Sequence, residues 1–85
     1  MLLIVDLFSN VDRFPLDALA QVDAVLAAAG FKKEFRSVLK PGKEFSVTYE
    51  GPIVEKRRVE DILRPIAEKH RITFTVDMDE SVRFP

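Results

Sequence analysis

The sequence predicts an α+β fold of the ferredoxin-like type, a four-stranded antiparallel sheet with two helices on one face. Two observations predict it. The hydrophobic periodicity changes along the chain in the order strand, helix, strand, strand, helix, strand. The length, 85 residues with 47% hydrophobic and 32% charged, suits one small core. We expect residues 1–79 to form a single domain with spatial strand order 4-1-3-2, and residues 80–85 to form a C-terminal tail.

An apolar strand and an alanine-rich helix occupy the first part of the chain. The strand covers residues 2–8 and is interrupted only by Asp6. The helix starts at Pro15, because the missing N–H of proline costs nothing in a first turn. It ends at Gly30, with Phe31 placed to fold back in a Schellman-type cap. The apolar stripe along the helix is Leu16, Leu19, Val22, Val25, Leu26 and Ala29.

A hairpin follows, with strands at residues 34–39 and 43–50 joined by the tight turn Pro41-Gly42. In its second strand Phe45, Val47 and Tyr49 alternate with small polar residues, which is typical of a half-buried strand. We expect these three side chains to face the helices, so that they offer no aromatic platform for stacking RNA bases.

The second helix is predicted over residues 54–70 and the last strand over residues 71–78. Pro65 lies inside the helix and removes a hydrogen bond to the Asp61 carbonyl, so we expect a kink or a break there. The apolar stripe of the helix consists of Val59, Ile62, Leu63, Ile66 and Ala67. In the strand, apolar residues alternate with Thr73, Thr75 and Asp77; these apolar residues are Ile72, Phe74, Val76 and Met78.

The first strand is apolar on both sides, although it lies in the middle of the predicted sheet. One of its two sets must therefore project onto the face without helices. We predict that this open face is a contact surface for a homodimer or another protein partner, formed by Leu2, Ile4, Phe8, Thr73 and Thr75. Two alternatives remain. Leu3, Val5 and Leu7 project onto the open face instead, or Val82 and Phe84 of the tail cover the apolar residues of the first strand there.

Basic residues are concentrated in one segment, where a single Glu34 accompanies Lys32, Lys33, Arg36, Lys40 and Lys43. The segment contains a predicted edge strand, and lysines protect such edges from aggregation. Contact with a nucleic-acid backbone, or with an acidic protein, is the alternative. No exposed aromatic side chain is expected among these lysines, which disfavours nucleic acid.

The composition excludes several kinds of chemistry. No cysteine is present, so disulfides, zinc–thiolate sites and thiol nucleophiles are ruled out. Neither catalytic residues nor a cofactor is predicted. One weak alternative is a metal-dependent phosphodiesterase or nuclease that uses Asp6, since a carboxylate near a strand end can hold a hard cation. The alternative, purely structural interpretation is that Ser9 or Asn10 caps the local backbone and that Asp6 pairs with a neighbouring basic side chain.

Two short stretches resemble the small dimeric ferredoxin-like proteins of CRISPR systems. One is Ile4-Val5-Asp6, which ends the first strand; the other is Gly30 followed by residues 35–39. The resemblance covers little of the chain, and we transfer no role from it.

The net charge of −1 disfavours a general polyanion binder. The chain shows no signal peptide and no apolar stretch long enough for a membrane span, so we expect a cytoplasmic protein without a membrane partner. The sequence thus predicts a small non-enzymatic binding, assembly or regulatory module, with nucleic-acid binding and Asp6 chemistry as alternatives.

Overall fold

The computed structural model describes residues 1–79 and confirms the predicted arrangement of four antiparallel strands and two helices. The strands are arranged β2-β3-β1-β4, which is the predicted order read from the other edge. The tail predicted at residues 80–85 lies outside the described residues. The elements are β1 Leu2–Ser9, α1 Leu16–Ala28, β2 Lys32–Lys40, β3 Glu44–Glu50, α2 Lys56–His70 and β4 Ile72–Asp79.

Helix α1 ends in the predicted Schellman geometry. The Phe31 amide donates to the Leu26 carbonyl at 2.8 Å and the Gly30 amide to the Ala27 carbonyl at 3.0 Å. Gly30 has φ +95°, and the Phe31 ring is buried. One residue of the predicted apolar stripe is not core: Leu16 is 71% exposed, although Ala18 and Leu19 of the same turn are buried. The buried face is centred on Ala18, Leu19, Val22 and Leu26, and Leu16 lies off that face.

Helix α2 continues through Pro65, so of the predicted kink or break, the break does not occur. Proline removes one backbone hydrogen bond, but Leu63 and Ile66 on either side of it are buried in the core. This packing holds the helix together where local propensity disfavours it. The helix ends at His70, and the C-cap residue Arg71 has a left-handed φ of 55°.

The core lies between the sheet and the two helices. Strand β1 contributes Leu3, Val5 and Leu7, each at most 1% exposed. Strand β3 contributes Phe45, Val47 and Tyr49 to the same face, as predicted, and α1 and α2 close it from above. The set of β1 that faces the helices is therefore settled, and Leu2, Ile4, Asp6 and Phe8 project onto the open face.

The β1–α1 connection is fixed to the β2–β3 turn at one end of the sheet. Ser9 is fully buried, and its hydroxyl accepts from the Val11 amide at 3.1 Å and donates to the Val11 carbonyl at 3.0 Å. The Phe14 amide donates to the Gly42 carbonyl at 2.7 Å. The predicted capping of the local backbone by Ser9 is thus confirmed, and it positions the loop beside Phe8.

Candidate interaction surface

The open face of the sheet is the side that carries no helix, and its composition follows from the strand register. Residues that pair directly across antiparallel strands share a face, so four rows run from β2 across β3 and β1 to β4. The rows are Lys32–Glu50–Leu2–Asp79, Phe35–Thr48–Ile4–Asp77, Ser37–Ser46–Asp6–Thr75 and Lys40–Glu44–Phe8–Thr73.

The centre of the open face is apolar. Leu2 and Ile4 are adjacent on this face of β1, and Asp6 separates them from Phe8; all four are half-buried, although neither α1 nor α2 covers them. Thr73 and Thr75 lie beside them on the edge strand β4 and are exposed. The five residues predicted as a partner surface therefore do lie on one face of the sheet.

Phe35 extends this apolar centre towards the β2 edge, and the sequence analysis missed it. It lies in the row of Thr48 and Ile4 and is 59% exposed, so the expectation of no exposed aromatic among the lysines was wrong. The register of β2 shifts between Lys33 and Phe35, which leaves Glu34 as an extra residue. This bulge puts Phe35 on the opposite face from Lys33, whereas simple alternation would put the two together.

Phe8 lies beneath two lysines at the loop end of the open face. The Lys43 ammonium is 5.4 Å from the centre of the Phe8 ring, and the Lys40 ammonium is 5.9 Å from it. The Lys43 ammonium also donates to the Val11 carbonyl at 3.0 Å. Cation–π attraction and the apolar stems of the lysines explain why Phe8 is half-buried without a covering helix.

The five basic residues of the predicted nucleic-acid edge do not form one row. Lys32 and Lys40 lie on the open face, whereas Lys33 and Arg36 pair with Tyr49 and Val47 and face the helices. The Arg36 guanidinium lies 6.0 Å from the centre of the Phe45 ring. Lys43 belongs to the turn, beside Phe8. The edge is exposed throughout, but its charge is divided between two faces.

Charge changes sign across the open face. On the open face β2 carries Lys32 and Lys40 and β4 carries Asp77 and Asp79, while Glu44 and Glu50 of β3 and Asp6 of β1 lie between the two edges together with the apolar residues. The two edges are thus oppositely charged although the chain has a net charge of only −1.

A hydrogen-bonded chain on the helix side ties β2 and β3 to α1. The Tyr49 hydroxyl donates to the Asp23 carboxylate at 2.6 Å, and the Lys33 ammonium donates to the other oxygen of that carboxylate at 3.1 Å. Burial raises the pKa of the Tyr49 hydroxyl far above its ordinary value near 10, and the hydrogen bond to Asp23 raises it further. Tyr49 is therefore a neutral donor with a structural role.

Asp6 is not part of a carboxylate cluster. Its cross-strand neighbours are Ser46 and Thr75. Within residues 1–79, no group of three or more metal-ligating side chains comes together. The single histidine, His70, lies elsewhere, with its Nε2 atom 3.0 Å from the Gln21 Oε1 atom. In the same part of the chain, neither helix has the length and apolarity required to cross a membrane.

No protein-family model matches the chain, and no curated protein matches it. Solved structures do share its fold. The chain is similar to a formyltetrahydrofolate deformylase from Burkholderia mallei ATCC 23344, with a TM-score of 0.71 and 14% identity, over 89% of this chain and 27% of that one. It is also similar to a formyltetrahydrofolate deformylase from Pseudomonas putida KT2440, with a TM-score of 0.66 and 11% identity, over 93% of this chain and 29% of that one. The chain therefore spans less than a third of either enzyme, and the likeness shows a shared α+β fold.

Proposed function

We propose that this chain is a small non-enzymatic assembly or regulatory module that associates with a second copy through the open face of its sheet. The observation that carries the proposal is the apolar centre of that face. Leu2 and Ile4 are neighbours on β1, and Phe35 lies in the row of Ile4 on the far side of Thr48, on the face that neither α1 nor α2 covers. Apolar groups assembled in this way mark interaction sites more often than scattered single residues do.

The size of the face supports a weak, concentration-dependent dimer. Four strands of about eight residues span roughly 500 Å² of projected area at the usual strand spacing and rise. Stable complexes bury about 800 Å² on each partner. The fully buried part of a large apolar side chain contributes about 1.5–3 kcal/mol, so three such residues provide several kcal/mol against the cost of association.

The charge distribution supports a second copy as the occupant. In a face-to-face dimer whose two-fold axis runs parallel to the strands, the β2 edge of one copy lies over the β4 edge of the other. Because this axis keeps each row of residues over the same row of the other copy, Lys32 then approaches Asp79, whereas Lys40 lies over Thr73. The Lys32–Asp79 approach occurs twice. A uniformly acidic or basic face would repel its own copy.

The structural comparisons support the idea of a module. In both enzymes the shared fold makes up less than a third of a longer chain. The same fold thus occurs as one part of a larger protein, which suits a regulatory or assembly role. Because fold alone carries many functions, the open face is the stronger argument.

The experiment is light scattering coupled to size-exclusion chromatography over a concentration series, with two matched variants. Phe35→Glu places a charge on the open face, and Val38→Glu places one on the other face of the same strand. The two side chains are 59% and 57% exposed, so neither substitution should disturb the core. The wild type and Val38→Glu should dimerise as concentration rises, and Phe35→Glu should stay monomeric.

A second variant tests the centre of the face. Ile4→Glu should give a folded monomer at concentrations where the wild type dimerises. A monomeric wild type at the highest concentration, or equal dimerisation of Phe35→Glu and wild type, contradicts the proposal. Loss of the dimer in Val38→Glu alone moves the interface to the other side of β2.

Single-stranded nucleic acid is a second candidate occupant of the same face. The observation that favours it is the combination of exposed Phe35 with the two lysines beside Phe8, since bases stack on aromatic rings and lysines contact phosphates. Fluorescence anisotropy with labelled oligonucleotides should show binding that weakens steeply with salt. Phe35→Ala should weaken it and Val38→Ala should not. Absence of binding at low salt removes this candidate.

A further inference from the structure

A groove lies in the helical layer, where the β3–α2 connection passes between the end of α1 and the start of α2. Its outer part has a volume of about 470 Å³ and is lined by Ile53, Val54, Glu55 and Arg58. Its inner part has a volume of about 220 Å³ and includes Phe31 and Ile62. Val54 and Arg58 line both parts, so the two are continuous. The groove is on the opposite side of the sheet from the open face.

The inner part of the groove is apolar and rigid. Phe31 and Val59 are buried, and Gly51 approaches the Phe31 ring so closely that an added Cβ would lie 2.9 Å from the ring's Cγ and Cε1 atoms. The ring is therefore held in place by backbone. Ile53 is 63% exposed at the outer rim and extends the apolar lining towards solvent.

The rim of the groove is positively charged. Lys56, Arg57 and Arg58 follow one another at the start of α2; Glu55 precedes them and lines the outer part of the groove, and Glu60 and Asp61 lie one turn further on, at i,i+4 from Lys56 and Arg57. Among residues 1–79, the Arg58 side chain makes no hydrogen bond and no ion pair. The Arg58 guanidinium, whose N–H donors have no partner among these residues, thus lies where the apolar cleft opens to solvent. The planar arrangement of its N–H donors fits the two oxygens of a carboxylate.

We propose that this groove binds a small amphiphilic carboxylate, with the carboxylate on Arg58 and the apolar chain against the accessible lining residues Pro52, Val54 and Ile62, above the buried side chains of Phe31 and Val59. Charge complementarity selects an anion over a cation, and the apolar cleft selects a ligand with an apolar chain over a simple salt. The site does not depend on dimerisation, because none of its residues lies on the open face.

Titration of the full chain with octanoate, followed by two-dimensional amide NMR, tests the proposal. Octanoate should cause saturable shifts at residues of the groove, and octylammonium, which has the same chain and the opposite charge, should bind at least about fivefold more weakly. Acetate should cause no saturable shifts. Absence of saturable shifts with octanoate, or equal binding of octylammonium, overturns it.

Two matched pairs of variants test the assigned contacts. Arg58→Gln should weaken octanoate binding by about fivefold, while Arg57→Gln, an adjacent cation that does not line the groove, should change it less than about twofold. Ile53→Ser should weaken binding, and Leu16→Ser, equally exposed but remote from the groove, should not. Equal losses within either pair mean non-specific attraction and overturn the proposal.

Discussion

Strands β1 and β2 both contain large apolar side chains, yet the burial of these side chains differs sharply between the two strands. In β1 the residues alternate between buried and half-buried, whereas all nine residues of β2 are exposed. Strand β1 has a neighbour on each side and helices over one face; β2 has one neighbour and little above it. Apolar composition therefore indicates a strand, but the elements packed around the strand decide whether its side chains are core.

The largest difference between the two strands should appear when leucine is shortened in each. Leu7→Ala should lower the free energy of unfolding by about 3 kcal/mol, because it opens a cavity in the closed core. Leu39→Ala on β2 should cost less than about 0.5 kcal/mol, because that side chain is 49% exposed. Urea denaturation of the two variants gives both values. Similar costs would mean that β2 is covered in solution.

A second prediction concerns the close contact between Gly51 and the buried Phe31 ring, on the helix side of the sheet. Gly51→Ala should lower the free energy of unfolding by about 1–3 kcal/mol, because its Cβ would overlap the buried Phe31 ring. In the double variant with Phe31→Leu, the cost should be less than the sum of the single costs, since the smaller side chain leaves room. Additive costs in the denaturation curves would show that the ring moves aside freely.

The smallest effect should come from β3, the strand between β1 and β2, where the Tyr49 hydroxyl donates to Asp23 of α1. Tyr49→Phe removes that donor and should cost about 1.5 kcal/mol. Because burial raises the pKa of Tyr49 in the folded state, the folded protein resists ionisation of the phenol. This stabilisation is complete below the ordinary pKa near 10 and is lost above it, by about 1.36 kcal/mol per pH unit.

The chain contains a single tyrosine, so ultraviolet absorbance of the phenolate reports this group directly. In the native protein the phenolate should appear together with alkaline unfolding, whereas in urea it should appear near pH 10. The stability of Tyr49→Phe should fall less steeply in the same pH range. Ionisation of Tyr49 near pH 10 without unfolding would contradict the buried hydrogen bond.

Much of the fold was predictable because it follows from local patterns. Alternation in β3 indicated which of its residues face the helices, and Gly30 with Phe31 indicated how α1 ends. The same rules failed where neighbouring elements decide the outcome. Leu16 is apolar but lies off the buried face of α1, although Ala18 and Leu19 beside it are core residues. Pro65 disfavours a helix, yet it lies inside one that tertiary packing maintains.

The sequence predicted the part of the candidate surface that lies on β1, but not the part that lies on β2. Leu2, Ile4 and Phe8 were identified because a central strand that is apolar on both sides must present one side to the open face. Phe35 was missed because a bulge at Glu34 reverses the alternation, and nothing in the residue pattern marks that bulge. The division of the basic residues between two faces has the same origin.

By itself the sequence determined the order of elements, the fold class and the residues of β3 that face the core; which of the two apolar sets of β1 does so was decided by the tertiary structure. Hydrophobic periodicity and turn residues act between near neighbours in the chain, so they can be read in one dimension. Only the tertiary structure decided the register and bulges of β2, the charge difference across the open face, and the groove beside Arg58. These features join residues distant in sequence, and packing between whole elements places them together.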